Sequence, residues 1–266
     1  MKRNILALCL VFVFFAYTRA QGYAQGFDPQ AKLEALKTRL EAVVSILAEE
    51  TDTASDRLSE GDIREDEARS VLSDLCGALS YSVDCAYINE KGVMRYIEPE
   101  TYRVYEGKDI SDQPQFAKAN ESGRAVFSRV FRAVEGFDAL DYESPVEDEA
   151  GRKKGTVSVL MKPVGFIELA LGPEMEGLPY EVMVLQTDGL VLFADKDEIG
   201  RNVFTDPMYR DFPSLLELCR RVVKDAKGTG TYTFIARQSG GPKEKTAYWT
   251  TVDIGENTWR LLLIVE

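Results

Sequence analysis

The sequence contains no histidine. Histidine is the usual general base of enzymes, it completes Ser/His and Cys/His nucleophilic pairs, and it is the commonest transition-metal ligand. The chain also lacks the G-x-S-x-G, G-x-G-x-x-G and Walker motifs of nucleophile elbows and nucleotide-binding loops. An enzyme with this sequence would depend on carboxylates or lysines alone. We therefore predict that the protein is not an enzyme and holds no cofactor.

Long hydrophobic runs are missing except at the N-terminus. Lys2 and Arg3 precede an apolar run from Ile5 to Tyr17, and small residues follow around Ala20. This order is typical of a secretory signal peptide, and the run is shorter than the roughly 20 residues that span a bilayer. We predict that residues 1–20 are a signal peptide, that the protein is exported to the periplasm or beyond, and that it does not insert stably into a membrane after cleavage. An uncleaved anchor is the alternative.

Basic residues are outnumbered, and the formal net charge is -12. Removal of Lys2, Arg3 and Arg19, with no acid among residues 1–20, lowers this charge to -15. Such an acidic body repels nucleic acid and anionic membranes, so neither is a predicted partner. A solvated acidic surface explains the charge without any further function.

Cysteine is scarce, and no C-x-x-C motif is present. Cleavage would leave Cys76, Cys85 and Cys219. In an oxidising compartment Cys76 and Cys85 are the natural disulfide pair, because one would end a helix and the other would begin the next strand. Two separate thiols remain the alternative. Cys219 is predicted to be a buried free thiol on a helix.

Residues 28–82 have helical periodicity. Asp28 is an N-cap, Pro29 fits the first turn, and apolar residues recur every three or four positions from Leu33 to Leu47. The polar stretch "TDTASDRLSEGD" interrupts the pattern before a second helical segment begins at Ile63. That second segment could continue the first helix or turn back along it.

Two later stretches share one plan. "VDCAYINEKGVMRYIEP" and "YEVMVLQTDGLVLFAD" each predict a hairpin around a glycine turn. When Gly92 is aligned with Gly189, "GKDISDQPQF" also aligns with "GRNVFTDPMY". The match predicts two copies of one structural unit. We therefore predict an α+β fold in which a long N-terminal helix precedes two lobes, residues 83–172 and 178–266, each an antiparallel sheet with flanking helices.

These features together resemble the double Cache domain, the PAS-like extracellular sensor module of chemoreceptors and sensor kinases. The resemblance rests on the long helix, "GVMRYIEP", "GKDISDQPQF", "TDGLVLFADKDEIGRNV" and "YWTTVDIGENTWRLLLIV". It implies a small-molecule ligand in the first lobe, between its sheet and the segments that cover it. It also implies that ligand binding is passed on to a membrane receptor or a histidine kinase.

The sequence departs from that family in two ways. The flanking transmembrane helices are replaced by a cleavable signal and an end directly after the last strand, which suggests a free-standing exported member. The amino-acid-binding branch of the family uses Arg, Trp, Tyr and Asp at positions that here hold Gln113, Gln115, Val146 and Leu160. A standard amino acid would lose two charge-assisted contacts, each usually worth about 1.5 to 3 kcal/mol, so it is disfavoured as the ligand.

A comparison of the two copies suggests where a ligand would bind. Arg95 aligns with Leu192, and alternation places Phe127, Arg129 and Phe131 on one face. Two arginines in the first lobe favour a carboxylate or another anion, and Arg95→Ala is expected to abolish its binding without unfolding the protein. Both arginines could instead face water or pair with acids, and the aromatic residues could be core. The candidate ligand-binding residues are Tyr87, Arg95, Phe116, Phe127, Arg129, Asp141 and Tyr142.

Two functions follow from this sequence. The first is an exported sensor module that binds a small molecule, and the second is a non-binding structural or adaptor protein of the cell envelope with the same fold. The stretch "DKDEIG" gives Asp195, Asp197 and Gly200 the spacing of a calcium loop, but later ligand positions hold Ile199 and Val203. We predict a bend there and no metal site.

Overall fold

The computed structural model describes residues 27–172, 175, 180–235, 241–255 and 257–266. Helix α1, Pro29–Ser59, begins where the Asp28 carboxylate accepts hydrogen bonds from the backbone N–H groups of Gln30 (2.9 Å) and Ala31 (3.2 Å). Its apolar stripe is buried, with Leu36 and Leu40 fully enclosed. The predicted signal peptide lies outside the described residues. Among the described helices, none has the length and apolar character needed to cross a membrane.

Helix α2, Glu65–Ala78, packs against α1 after a turn at residues 60–64. Arg57 near the end of α1 forms an ion pair with Asp74 of α2 at 3.0 Å, so the second helical segment turns back along the first. A disulfide joins Cys76 to Cys85 and ties α2 to the strand that follows. Lobe one is thus anchored to the helical segment by a covalent bond.

Lobe one contains a single antiparallel sheet. Its strands are β1 (Ser82–Asn89), β2 (Met94–Glu98), β3 (Val126–Phe127), β4 (Phe131–Arg132), β5 (Asp138–Glu147) and β6 (Lys153–Met161). The strand order is β2-β1-β6-β5-β3, and β4 pairs separately with β5. A 3-10 helix (Glu100–Tyr105) and α3 (Pro114–Ser122) connect β2 to β3, while α4 (Pro163–Leu171) follows β6.

Lobe two repeats the core of this plan. Its elements are β7 (Tyr180–Gln186), β8 (Val191–Phe193), a 3-10 helix (Pro207–Tyr209), α5 (Pro213–Lys224), β9 (Gly228–Ile235), β10 (Pro242–Ile254) and β11 (Asn257–Val265). The strand order β8-β7-β11-β10-β9 corresponds to β2-β1-β6-β5-β3 of lobe one. The predicted α+β fold with a long helix and two antiparallel sheets is confirmed.

The two lobes share hydrogen bonds at the aligned positions. In each lobe, the glycine after the second strand donates its N–H to that strand, and a residue three positions later donates to the glycine of the hairpin turn. The equivalent pairs are Gly107 with Met94 (2.8 Å) and Gly200 with Val191 (2.9 Å), then Ile110 with Gly92 (2.8 Å) and Val203 with Gly189 (2.9 Å). These four glycines have positive φ, which explains why glycine recurs at both sites.

The sheet of lobe one separates two cores because side chains alternate along each strand. One face packs on α1 and carries Cys85, Tyr87, Tyr142 and Val159. The other face carries Ala86, Ile88 and Ile97, which pack against Ile110 and Phe116 beneath the 3-10 helix and α3. We call these the helix side and the cover side.

The segment from residue 126 to residue 132 is not the single strand expected from alternation. The N–H of Ser128 donates to the Asp141 carbonyl (2.7 Å), and the Ser128 hydroxyl accepts from the Asp141 N–H (2.8 Å), which interrupts the ladder between β3 and β4. Phe127 therefore packs with Trp259 in the helix-side core, whereas Phe131 turns toward the cover side. The expectation that Phe127, Arg129 and Phe131 share a face is wrong.

The same segment connects lobe one to lobe two. Arg129 pairs with Asp188 in the β7–β8 turn at 2.6 Å, and the Val130 N–H donates to the Gln186 side chain at 3.3 Å. The Asn257 side chain, at the start of β11, donates to the Phe127 carbonyl. A displacement of residues 127–130 would therefore reach three points of lobe two.

Candidate ligand-binding site

A small cavity lies on the cover side of lobe one. Its volume is about 20 Å³, which is room for one or two water molecules. Its floor is formed by the sheet, and its wall is formed by the segments around Gln113 and around Glu135. The lining residues are Asp84, Met94, Ile110, Gln113, Phe131, Val134, Glu135, Asp141, Ser158 and Leu160.

Asp84 is the most enclosed acid of this cavity. Asp84 lies two positions before Ala86 on β1, so the two side chains share the cover side. Only 1% of the Asp84 surface is exposed. Neither carboxylate oxygen accepts a hydrogen bond from a described residue. Burial, together with the negative charges of Glu135 and Asp141, raises the pKa of Asp84 well above its ordinary value.

Asp141 faces the same cavity from β5 and has firm partners. Ser158 of β6 donates its hydroxyl to one carboxylate oxygen at 2.7 Å, and the buried Gln115 amide donates to the other at 3.5 Å. Burial raises the pKa of Asp141 to about 6, although these hydrogen bonds oppose the shift. Glu143, fully buried on the same strand, has a pKa raised well above its usual range because of burial and the Asp141 charge.

Glu135 completes the acidic lining from the loop between β4 and β5. Its Oε1 atom is buried and accepts no hydrogen bond from the described part of the chain. Burial raises the pKa of this carboxyl. The residues that line the cavity include no arginine or lysine. The lining of the cavity thus combines three carboxyl groups with neutral polar and apolar side chains and includes no positive charge.

The seven residues predicted from sequence are divided among several places. Asp141 lines the cavity, and Phe116 packs in the cover-side core next to it. Tyr87, Phe127 and Tyr142 belong to the helix-side core, on the opposite face of the sheet. Tyr87 donates its hydroxyl to the Lys154 carbonyl at 2.6 Å, and Phe127 packs edge-on against Tyr142 at 6.0 Å. These three aromatic rings are core residues and do not line this cavity.

Neither predicted arginine lines the cavity on the cover side. Arg95 is exposed, and its charge acts on the Tyr87 hydroxyl of the helix side, as expected for the counterpart of the helix-side Leu192. Arg129 is half-exposed and pairs with Asp188. Together with Phe127 and Lys118, Arg129 borders a separate, open depression of about 300 Å³ between α3 and residues 126–131.

The sequence reasoning missed Asp84, Glu135 and Ser158. A usable signal was present, because Asp84 interrupts the apolar alternation of "VDCAYI", and Asp141 and Glu143 are separated by one residue in "DALDYES". Acids at alternate positions of a buried strand face the same side. Only the pairing of β1 and β5 with β6 shows that Asp84 and Asp141 line one cavity, since they lie on either side of Leu160 in one row across the sheet.

Lobe two has a cavity of the same volume, about 20 Å³, with a mainly apolar lining. Its acids have partners in the protein. Glu181 accepts two hydrogen bonds of 2.9 Å from the buried Lys245, and Glu198 accepts one from the Tyr209 hydroxyl at 3.4 Å. Burial raises the pKa of Glu198 to about 7. The unpartnered acids thus distinguish the cavity of lobe one from its counterpart.

The stretch "DKDEIG" forms a bend after β8. The N–H of Glu198 donates to the Asp195 carbonyl at 2.9 Å, and the Gly200 N–H donates to Val191. Among the residues that the structure describes, no cluster of three or more His, Cys, Asp or Glu side chains could hold a metal ion.

A long helix that carries two sheets of equal topology, with a polar cavity under the cover of the first, is the architecture of Cache-like extracellular sensor domains. Residues 42–163 match the family model described as "HK/GC/Chemotaxis protein-like, sensor domain". No curated protein sequence matches the chain.

Solved structures with the same fold are sensor domains. The chain is similar to an extracellular ligand binding receptor from Desulfohalobium retbaense, with 28% identity, a TM-score of 0.76, and coverage of 91% of this chain but only 41% of that one. The periplasmic sensory domain of the Campylobacter jejuni chemoreceptor Tlp1 has 13% identity and a TM-score of 0.61, over 89% of this chain and 93% of its own.

The ligand binding domain of the Pseudomonas aeruginosa amino acid chemoreceptor PctC, solved with GABA, has 14% identity and a TM-score of 0.60, over 89% of this chain and 97% of its own. Extracellular domains of two putative histidine kinases also share the fold. The similar domains are sensory ligand-binding modules of chemoreceptors and histidine kinases, which supports a sensor module here.

Proposed function

We propose that the protein is an exported sensor module that binds a small molecule on the cover side of lobe one, at the cavity lined by Asp84 and Asp141. After removal of residues 1–20 it would act in the periplasm or outside the cell, and it would pass its bound state to a membrane receptor or a histidine kinase. The solved structures with this fold support the proposal, since they include ligand-binding domains of chemoreceptors and extracellular domains of histidine kinases.

One observation carries the choice of site. Both carboxylate oxygens of Asp84 and the Oε1 atom of Glu135 are buried and accept no hydrogen bond from any described residue, and both acids line the cavity. Protein interiors seldom leave polar groups unpaired, and ligand pockets are apolar clefts with a few such groups aimed inward. The corresponding cavity of lobe two has its acids paired, which makes lobe one the better candidate.

The contacts between the lobes support a route for the signal. Phe131 lines the cavity, while its neighbours Arg129 and Val130 contact Asp188 and Gln186 of lobe two. A ligand that shifts β4 would change these contacts. Binding in lobe one would then alter the lobe that precedes the C-terminus.

A thermal-shift panel of organic acids, amines, purines and sugars tests the proposal. A true ligand at a hundredfold excess over its Kd should stabilise the protein by about 2.7 kcal/mol. Leu160→Phe would fill the cavity and should abolish the shift, whereas Leu169→Phe, at a site that is 49% exposed, should preserve it. No shift with any compound class, and no copurifying molecule in native mass spectrometry, would contradict ligand binding and favour the adaptor function.

A further inference from the structure

We propose that strand β9 of lobe two is a docking edge for a second copy of this chain. The two copies pair antiparallel along residues 229–233, about a twofold axis at Thr231. This pairing joins the five-stranded sheets of the two copies into one continuous sheet. The inference concerns the lobe without the candidate ligand site, and it does not depend on ligand binding.

Strand β9 is the long edge strand of lobe two. It lies at one end of the strand order and pairs only with β10, over 8 residues and without a bulge. Its sequence, "GTGTYTFI", contains no charged residue and no proline. Edge strands are usually short, bulged or charged, because an open row of N–H and C=O groups recruits another strand. Strand β9 has none of these protections.

The other sheet edges in the described part of the chain are short or already bonded. Strand β8 has 3 residues, and its Val191 exchanges hydrogen bonds of 2.9 Å with Arg201 and Gly200. The corresponding strand of lobe one, β2, is bonded in the same way through Met94. Strands β3 and β4 have only 2 residues each. An added strand would therefore find the longest row of backbone groups on β9.

The backbone groups at the centre of this edge point away from the sheet. The Thr233 N–H donates to the Ser214 hydroxyl of α5 at 3.0 Å, and the Thr229 carbonyl accepts from the Arg221 guanidinium at 3.1 Å. These two residues thus face outward from β10, and the alternation of an antiparallel ladder makes Thr231 face outward as well. Within the described residues, neither backbone group of Thr231 has a hydrogen-bond partner.

The edge is complementary to itself. Antiparallel pairing about Thr231 places Thr231 opposite its own copy and Thr229 opposite Thr233 of the second copy. All three side chains are exposed on the face that points away from α5, so each pair on that face is Thr–Thr. Such cross-strand pairs are favourable in antiparallel sheets. The two Thr231 residues would exchange both of their backbone hydrogen bonds.

Helix α5 lies close enough to the edge to take part in the same interface. A Cβ atom at Gly230 would be 2.6 Å from the Leu218 side chain, so glycine permits this close packing. An open groove of about 450 Å³ runs beside the edge, bordered by Glu217 and Arg221 of α5 and by Thr231. Two such grooves would meet at the twofold axis, where the two α5 helices would lie antiparallel.

The charges of α5 fit that arrangement. Because Ser214 bonds Thr233 and Arg221 bonds Thr229, the midpoint of the two α5 residues, near Glu217, lies beside Thr231. The axis at Thr231 would thus bring Glu217 of each copy within about one helical turn of Arg221 of the other, where opposite charges attract. The net charge of -12 disfavours association through most of the surface. The uncharged edge and this balanced pair avoid that repulsion.

Sedimentation velocity of the full chain over a range of concentrations tests the interface. We expect a monomer–dimer equilibrium, and Thr231→Lys should raise its dissociation constant at least about tenfold, since two added charges would face each other at the axis. Thr205→Lys is the matched control, because Thr205 is exposed in the turn after β8, at the opposite edge of the same sheet. This control should dimerise like the wild type.

Cross-linking tests the register. Directly opposite residues that exchange both backbone hydrogen bonds have Cα atoms about 5.5 Å apart. A short bismaleimide should therefore join two copies of Thr231→Cys. Joining should exceed that of the wild type and of Thr205→Cys, which contain the same other cysteines. Cys219 is buried, and Cys76 and Cys85 are in a disulfide.

Three results would overturn the inference. The first is a monomer at every concentration, and the second is a dimer that Thr231→Lys leaves unchanged. The third is Thr231→Cys that cross-links no better than Thr205→Cys, which would mean that the copies meet through another surface. If Thr231→Lys fails to fold, the cross-linking result decides. Ligand binding in lobe one is measured separately, so these results leave the sensor function untouched.

Discussion

Asp84 is an acid on the cover side of β1, where the neighbouring residues Ala86 and Ile88 are apolar. Its raised pKa has a consequence for stability. The folded protein holds protons on Asp84 and Asp141 at pH values where an unfolded aspartate, with a pKa of about 3.9, has lost them. These groups therefore lower the free energy of unfolding as pH rises above about 4, and the loss from Asp141 is complete above about pH 6.

The substitution Asp84→Asn removes the loss of stability that ionisation of the buried Asp84 carboxyl causes. We expect the variant to be more stable than the wild type at pH 8, by about 1 to 3 kcal/mol, because a neutral amide is cheaper to bury than an unpaired carboxylate. At pH 4 the two proteins should differ little. Urea denaturation at both pH values gives the difference directly, and Asp138→Asn should show no such pH dependence because its side chain is exposed. A variant less stable than the wild type at pH 8 would contradict this account.

The two arginines give a second prediction for single residues. Arg129 and Asp188 form a half-exposed ion pair, so Arg129→Ala should change the free energy of unfolding by less than about 1 kcal/mol. Arg95→Ala should have a similarly small effect, because its side chain is exposed. Neither substitution should alter the binding of a ligand in the cavity of lobe one, because neither arginine lines it. Loss of an anionic ligand in either variant, measured by calorimetry, would instead support the arginine site that the sequence suggested.

Among the helices and strands, local signals were reliable. The cap at Asp28 and the stripe of leucines predict α1 because both depend on residues a few positions apart. The turn glycines, such as Gly92 and Gly189, predict the hairpins for the same reason, since a positive φ at those places is a local requirement. The repeat predicted a second lobe with the plan of the first, and the two sheets share one strand order.

The candidate site was harder to predict because it depends on register and on what covers each face. Tyr87 and Asp84 lie three positions apart on one strand, so they face opposite sides of the sheet. When both faces of a strand are buried and mostly apolar, its sequence does not show which face packs on α1 and which face packs under the 3-10 helix and α3. The interruption at Ser128, fixed by hydrogen bonds to Asp141, is also set by a residue of another strand. The sequence therefore grouped Asp141 with residues such as Tyr87 and Tyr142, which lie on the other face of the sheet.

The disulfide between Cys76 and Cys85 joins α2 to β1 across a sequence separation of only 9. A loop of this length predicts a contribution of about 2 to 3 kcal/mol. We expect the double variant Cys76→Ala/Cys85→Ala to lose this amount in urea denaturation. Dithiothreitol should destabilise the wild type similarly and leave the double variant unchanged. Equal stability of the oxidised and reduced wild type would show that packing alone holds α2 to the sheet.

The whole molecule is organised around α1. Near its start, Glu34 accepts a hydrogen bond from Thr250 of lobe two at 3.4 Å, and near its end, Asp52 accepts one from Ser144 of lobe one at 2.7 Å. The largest core cluster contains the leucines of α1 together with residues of both sheets, such as Val157 and Leu261. One helix thus supplies part of the buried surface of each lobe.

This shared core predicts that the two lobes unfold together. Leu40→Ala, at a fully buried position of α1, should lower the free energy of unfolding by about 2 to 5 kcal/mol and should preserve a single transition. Amide exchange should accelerate to the same degree in β5 and β6 of lobe one and in β10 and β11 of lobe two. Ile46→Ala, at a position 51% exposed on the same helix, should change stability by less than about 0.5 kcal/mol. Two separate transitions, or faster exchange in one lobe alone, would mean that α1 stabilises the lobes independently and that signals between them depend on residues 127–130.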